Sequence, residues 1–263
     1  MDILLLLVGL GLILGGANFL TDGSAAVAQR FRVPEFIIGL TIVAVGTSMP
    51  ELVVSVLSAA AGNSDVAIGN VVGSNIFNVF VILGICALIR PLVLTKENIR
   101  RDIPFGMAAS LVLLAVTSDR LVCAGATDRI GRPDGIVMLA LYIGLMWYMI
   151  RTTKRQRSIP GATTGMNVPV SGAALKNGAQ HAEGTKKPIA EMALGNVIGS
   201  NIANILLILG ISATIHPLTM GGITLTDILV VVLSSLLLFM AAFTFRSKKL
   251  DRWEGAIFLA IYI

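Results

Sequence analysis

Apolar residues in this chain come in long runs separated by short polar breaks, not in the alternations or narrow stripes of a water-soluble fold. The first run, Met1 to Leu20, carries Asp2 and has no Lys or Arg ahead of its Leu-rich stretch. It lacks the positive leader of a cleaved signal peptide, so it reads as a retained first span. Further runs follow at 36–61, 66–89, 103–116 with its flanks, and 136–150. A hydrocarbon core of about 30 Å takes about 20 residues of helix, so five spans are expected before residue 150.

From Arg151 to Pro188 the pattern changes to Lys, Arg, Gly, Ser, Thr, Asn and Gln, and no apolar window approaches spanning length. Such a composition predicts a loop or linker. Apolar runs resume at 189–215, 223–245 and 253–263. The last, at 1.5 Å per residue, gives about 16 Å of helix, so a truncated final helix is expected. The division is therefore 1–150, a first five-helix unit; 151–188, a polar linker; and 189–263, a shorter unit of about three helices.

Composition sharpens this into a membrane protein. Hydrophobic residues make up 55% of the 263 positions and charged residues only 13%, with mean hydropathy +0.85, whereas soluble domains carry about a quarter charged residues. Cys86 and Cys123 are too few for a disulfide framework and lack metal-site spacing.

The charge is +5, with a pI near 9.5. If the eight runs alternate sides, 17 Lys and Arg fall on one face and only Arg120, Arg129 and Arg132 on the other. That asymmetry puts the first face, with the linker, in the cytoplasm and the N-terminus outside. It accounts for the basic pI without nucleic acid as a partner. A multi-pass protein of the inner (plasma) membrane is the expectation, with the lipid bilayer as its surroundings.

The most specific signal is internal. Ile68 to Leu92 reads IGNVVGSNIFNVFVILGICALIRPL, and Leu194 to Leu218 reads LGNVIGSNIANILLILGISATIHPL. Sixteen of 25 positions are identical at an offset of 126. A weaker echo pairs Asp134, Gly135 and Tyr142 with Glu254, Gly255 and Tyr262. The first copy lies in the third span and the second in the sixth, so the copies run in opposite directions across the membrane. Inverted repeats mark secondary transporters, whose substrate sits near the midplane where the copies meet.

Polar residues inside the spans supply candidate chemistry. Span two contains Gly46, Thr47, Ser48, Met49, Pro50 and Glu51. Thr47 and Glu51 lie four apart on one helical face, with Ser48 adjoining. Pro50 lacks an N–H and frees the Gly46 carbonyl, which predicts a kink or an unwound turn. Span three repeats the theme with Gly69, Asn70, Gly73, Ser74, Asn75 and Asn78, and Ser200 and Asn204 hold the matching positions in the sixth span. These donors are hard oxygens with no His or Cys beside them, a set suited to Ca²⁺ or Na⁺.

Blander readings compete. The Gly pairs at 69/73 and 195/199 have the spacing that lets helices approach, and Ser48 could back-bond to its own turn. Glu51 is harder to explain away, because a mid-membrane carboxylate is costly unless it works or is paired. Asp22, Asp65, Asp102, Glu191 and Asp227 fall at span ends, where a solvated edge or helix N-terminus explains them. His181 and His216 lie in the linker and at a span end.

The motifs GTSMPE, GNVVGSNIFN and GNVIGSNIAN resemble those of the Ca²⁺:cation antiporter superfamily, prokaryotic sodium/calcium exchanger type. The resemblance covers Met1 to Ile150 and Ile189 to Ile263. It implies an all-α polytopic membrane protein with an inverted-repeat transporter fold, five helices in the first repeat and about three in an incomplete second. It further implies Thr47, Ser48 and Glu51 as cation ligands with the Ala44 carbonyl, Ser74 and Asn78 from the third span, and Ser200 and Asn204 from the second copy. The implied activity is secondary transport and not enzyme chemistry: Ca²⁺ moves one way and Na⁺, or H⁺ in sister families, the other, with no cofactor.

Three departures stand out. The second copy has no GTS-x-PE segment, position 204 is Asn where some exchangers carry Asp, and the final helix is short. Losing two helices preserves the orientation of the rest but leaves Glu51 as the only carboxylate assignable to the site. One negative charge leaves a bound Ca²⁺ with an uncompensated +1. Either a second subunit, as in a homodimer, completes the site, or transport is impaired. The alternatives are H⁺-coupled Ca²⁺ exchange and a non-transporting membrane fragment of the same family.

Overall fold

The computed structural model describes residues 44–94, 98–118, 128–157, 186–244 and 249–263, with isolated helical positions between Leu4 and Phe19. The central part of the expected linker, 158–185, lies outside the described residues, as do residues 36–43 of span two, Asp22, Cys123, His181 and the side chain of Glu191.

Span two is broken. Helix α1 (Ala44–Thr47) ends at Ser48, and α2 (Met49–Ala60) starts afresh with Pro50 in its first turn. Ser48 itself has φ −92° and ψ 7°, and its N–H is shared between the carbonyls of Ala44 and Val45 at 3.2 Å each. Proline cannot supply the next bond of the ladder, so the helix restarts here. Gly62, at φ 78°, turns the chain into the next helix, a left-handed backbone that favours glycine.

The two repeat copies fold alike. Helix α3 (Ser64–Phe77) passes into a π-helical stretch, π1 (Asn78–Leu83), and then into α4 (Gly84–Ile89). In the second copy α7 (Lys186–Ile202) passes into a second π-helical stretch (Ala203–Leu209) and α8 (Gly210–Ile215). Each copy ends on a two-residue strand: β1 (Leu92–Val93) in the first, β3 (Leu218–Thr219) in the second. A π-helical turn at Asn98–Asp102 leads into α5 (Ile103–Val116), then come β2 (Arg129–Ile130) and α6 (Arg132–Arg157). The second half answers with α9 (Leu225–Thr244), β4 (Lys249–Leu250) and α10 (Arg252–Tyr262).

Contacts confirm that the copies are inverted and interlocked. Strand β1 pairs antiparallel with β4, and β2 with β3, so each half is tied to the other twice. The Asp65 carboxylate at the start of α3 accepts the N–H groups of Gly221 and Gly222, just past the end of α8, at 3.0 and 2.8 Å. One copy thus begins where the other ends. Helix α6 packs on α8, α10 on α4, and α5 on α9.

The helix crossings depend on missing side chains. A Cβ on Gly135 would stand 2.7 Å from the Gly210 carbonyl oxygen, and one on Gly255 would stand 2.7 Å from that of Gly84. These are the same crossing in the two halves. Phe80 against Phe258 and Phe77 against Tyr262 fix α10 edge-to-face on the first copy.

Among the described residues, three helices are long and apolar enough to cross a membrane: Ser64–Ile89, Leu194–Ile215 and Leu225–Phe243. Two expectations need correcting. Helix α6 does not stop at Ile150 but continues through Arg157, because the good helix formers Arg, Lys and Gln outweigh the two Thr residues of that extension. Asp102 is not at a solvated edge: it is 1% exposed, paired with Arg101 Nε at 2.8 Å and accepting from Asn98 at 3.1 Å. A buried carboxylate is tolerable only with such partners.

Candidate ion site

Two polar clusters form where α1 and the two repeat copies meet. At the break, the Ala44 carbonyl accepts from Thr47 Oγ1 at 3.0 Å and from Ser200 Oγ at 3.4 Å. Thr47 and Ser200 hydroxyls stand 3.0 Å apart, and Thr47 also reaches Asn196 Oδ1 at 3.3 Å. Three of the expected ligands, Ala44, Thr47 and Ser200, are therefore in one place, drawn from both halves of the chain. Helical geometry puts Asn196 and Ser200 four apart on one face of α7, which is why both reach α1.

One turn further along that face, Asn204 Nδ2 donates to Ser74 Oγ at 3.0 Å and to Asn75 Oδ1 at 3.1 Å. Ser74 in turn donates to the Val71 carbonyl at 3.1 Å. Asn78 does not join this group; its Nδ2 donates to Asn201 Oδ1 at 2.9 Å. Ser48 is buried at the break. The Glu51 backbone carbonyl accepts from Asn70, which also donates to Ser55 at 2.9 Å and so locks α2 to α3.

Among these residues, three side-chain atoms are buried with no protein hydrogen-bond partner: Glu51 Oε2, Asn204 Oδ1 and Asn75 Nδ2, with Asn204 as a whole 0% exposed. Buried polar atoms without partners are rare and costly, and the two oxygens are of the hard kind that can ligate a cation.

Sequence reasoning named Asn70 and Asn75 among the polar residues of span three without giving them a role, and passed over Asn196 and Asn201. Asn75 and Asn201 occupy the same position in the two copies and hold them together, Asn201 Nδ2 also donating to the Asn75 carbonyl at 3.3 Å. Their signal was present: both asparagines recur unchanged between the copies at offset 126, inside spans where an amide must find a partner. No group of three or more His, Cys, Asp or Glu side chains exists among the described residues.

Comparison with known proteins agrees with this architecture. The sodium/calcium exchanger protein family matches residues 1–151 and again 170–263. The sodium/calcium exchanger MaX1 of Methanosarcina acetivorans is 27% identical over 341 aligned positions, covering all of this chain and 96% of that protein. The alignment is longer than the 263 residues here, so that relative has sequence without a counterpart in this chain. Inner membrane protein YrbG of Escherichia coli is 28% identical over 81% of this chain and 79% of its own length. The solved sodium/calcium exchanger of Methanococcus jannaschii superposes with a TM-score of 0.64 at 25% identity, over 97% of this chain and 94% of that one. A membrane cation antiporter fold, built from two inverted copies and carrying a polar cluster at their junction, is thus matched along nearly its whole length: the chain belongs to the sodium/calcium exchanger protein family.

Proposed function

We propose that the chain moves Ca²⁺ against Na⁺ by alternating access, at a site on the broken helix α1–α2, and that this exchange is impaired here. The ligand set of the reading is Ala44, Thr47, Ser48, Glu51, Ser74, Asn78, Ser200 and Asn204. The observation that carries it is the meeting of Thr47 and Ser200 at 3.0 Å over the Ala44 carbonyl. The helix interruption at Ser48 in one half thereby faces the repeat motif of the other, an arrangement suited to exposing one site to each side in turn. The charge asymmetry favours an outside N-terminus and a cytoplasmic segment 151–188.

Impairment follows from what the chain lacks. No second GTS-x-PE segment exists in it, and among the described residues the second half supplies no counterpart of the α1–α2 break. The test is ⁴⁵Ca²⁺ uptake into proteoliposomes under an imposed Na⁺ gradient, then under a pH gradient. Weak Na⁺-dependent uptake that disappears in Glu51→Gln agrees with the proposal. Uptake driven by the pH gradient alone reassigns the coupling ion to H⁺, and robust Na⁺-dependent flux from monomers in single-copy liposomes overturns the impairment.

A further inference from the structure

We infer that the end of the molecule where β1 pairs with β4 binds the headgroup of an anionic phospholipid, whose acyl chains lie along the outer surface of α4 and α10. The inference is independent of which ions the chain moves. Two geometries set the site. The register of the ribbon places Leu92 against Leu250 and Val93 against Lys249, and continued by two positions it brings Arg90 level with Arg252. The crossing of α4 and α10 agrees. A Cβ on Gly255 would stand 2.9 Å from the Ala87 Cβ and 3.1 Å from the Leu88 nitrogen; three residues towards the ribbon from Ala87 and from Gly255 lie Arg90 and Arg252.

Arg90, Lys249 and Arg252 are all exposed. Like charges set opposite each other across paired strands repel, and an anion between them removes that repulsion. The acid nearest in sequence is engaged elsewhere: the Asp251 side chain accepts the Glu254 N–H in the cap of α10, while Glu254 Oε2 accepts the Asp251 N–H at 2.8 Å. Across 90–97 and 246–252 six Lys and Arg stand against two acids, so the whole end is cationic by sequence. Arginine forks suit phosphate oxygens, which they bind two at a time.

The apolar surface beside these cations names the source of the phosphate. On α4 the chain switches from Ile89, 73% exposed, to Arg90; on α10 it switches from Arg252 to Trp253, 74% exposed. The boundary falls at the same level on both helices. Ile85 and Leu88 on α4 and Ile257 on α10 continue the exposed apolar surface away from the ribbon. An exposed Trp at a span end is the pattern of the membrane interface, where clustered Lys and Arg attract acidic lipids. Orientation by charge alone accounts for basic residues at this end, but not for two arginines meeting above an apolar face. Because Arg90 belongs to the first half and Arg252 to the second, a headgroup held by both ties the halves together.

The experiment is thermal unfolding of the purified full chain in a neutral detergent, titrated with dioleoylphosphatidylglycerol, dioleoylphosphatidylcholine or inorganic phosphate. Expected is a saturable rise in Tm with phosphatidylglycerol that shrinks as NaCl rises, a smaller rise with phosphatidylcholine, and none with inorganic phosphate at the same concentrations. Combining Arg90→Gln, Lys249→Gln and Arg252→Gln should raise the phosphatidylglycerol midpoint by about fivefold for each cation removed. Arg129→Gln, at the other end of the repeat helices, should leave it unchanged. If the triple variant fails to fold, Arg90→Gln and Arg252→Gln decide singly, each with a shift of about fivefold. Equal responses to the two lipids, no saturable response, or a phosphatidylglycerol midpoint that the substitutions leave in place overturns the inference. So does a midpoint that Arg129→Gln shifts as far, which would mark a diffuse effect of net charge. A response to inorganic phosphate matching that to phosphatidylglycerol replaces the lipid with a free anion and overturns it as well.

Discussion

Asn78 donates to Asn201 at 2.9 Å, and the repeat operation carries that bond onto Asn204 donating to Asn75 at 3.1 Å. Positions 78 and 204 are equivalent, as are 75 and 201, so one interaction is made twice around a pseudo-two-fold axis. Helices α3 and α7, with the π-helical stretches that continue them, meet along an asparagine ladder and not along a purely apolar seam. In a membrane, where no hydrophobic force draws helices together, such bonds specify which faces meet.

The ladder is expected to behave as a coupled unit. Asn201→Ala strips an acceptor from Asn78 and a donor from the Asn75 carbonyl, and should lower stability by about 1–2 kcal/mol. A double-mutant cycle with Asn78→Ala, read by thermal unfolding in detergent, should give a coupling of about 0.6 kcal/mol. Strict additivity would mean the bond carries no weight.

At the Gly135–Gly210 crossing, a methyl group has nowhere to go: besides the Gly210 oxygen at 2.7 Å it would meet Thr214 Oγ1 at 2.8 Å. Gly135→Ala should therefore cost about 1–3 kcal/mol through overpacking. Gly144→Ala on the same helix, where nothing stands within 4 Å, should be neutral or slightly stabilising. Comparable losses of Tm in the two variants would refute the crossing.

Strand register predicts cross-links. Val93 faces Lys249 and Arg129 faces Thr219. In a background of Cys86→Ala and Cys123→Ala, Val93→Cys with Lys249→Cys should form a disulfide, and so should Arg129→Cys with Thr219→Cys. The mismatched pair Val93→Cys with Thr219→Cys should not, because the pairs lie at opposite ends of the repeat helices. Equal yields for matched and mismatched pairs would argue against the fold.

Orientation is tested from outside the cell. With the native cysteines removed, Ser171→Cys should resist an impermeant thiol reagent until the membrane is opened, whereas Arg129→Cys should react at once. Immediate labelling at position 171 would reverse the orientation derived from the charges.

How much of this was legible in the sequence depends on the kind of interaction. Spans and repeat follow from runs of one residue class, so α3 to α4, α7 to α8 and α9 fall close to their expected places. The break at Ser48 was readable because Pro50 acts locally. The strand ties were not, since two residues such as Leu92 and Val93 carry no periodicity and pair with a segment over 150 positions away. Asp102 misled for a related reason: a carboxylate at a span end usually meets water, and only the packing around Arg101 and Asn98 buries it. Asn75 and Asn201 were visible as repeated letters but became members of the junction only when the two copies were set face to face.

The π-helical stretches at Asn78–Leu83 and Ala203–Leu209 act as phase shifters. Each widened turn accommodates an extra residue, and one residue of α-helix corresponds to about 100° of rotation. Before the shift in one copy and at its start in the other, Ser74 and Asn204 face each other across the junction; downstream, Gly84 and Gly210 are aimed at Gly255 and Gly135. Without the extra residue a single helix could not serve both neighbours, because satisfying one would swing the other out of line. The spacing between the polar half and the packing half of each repeat is thus fixed by rotation as well as by length, and a deletion of one residue between them would leave every side chain present but half of them turned the wrong way.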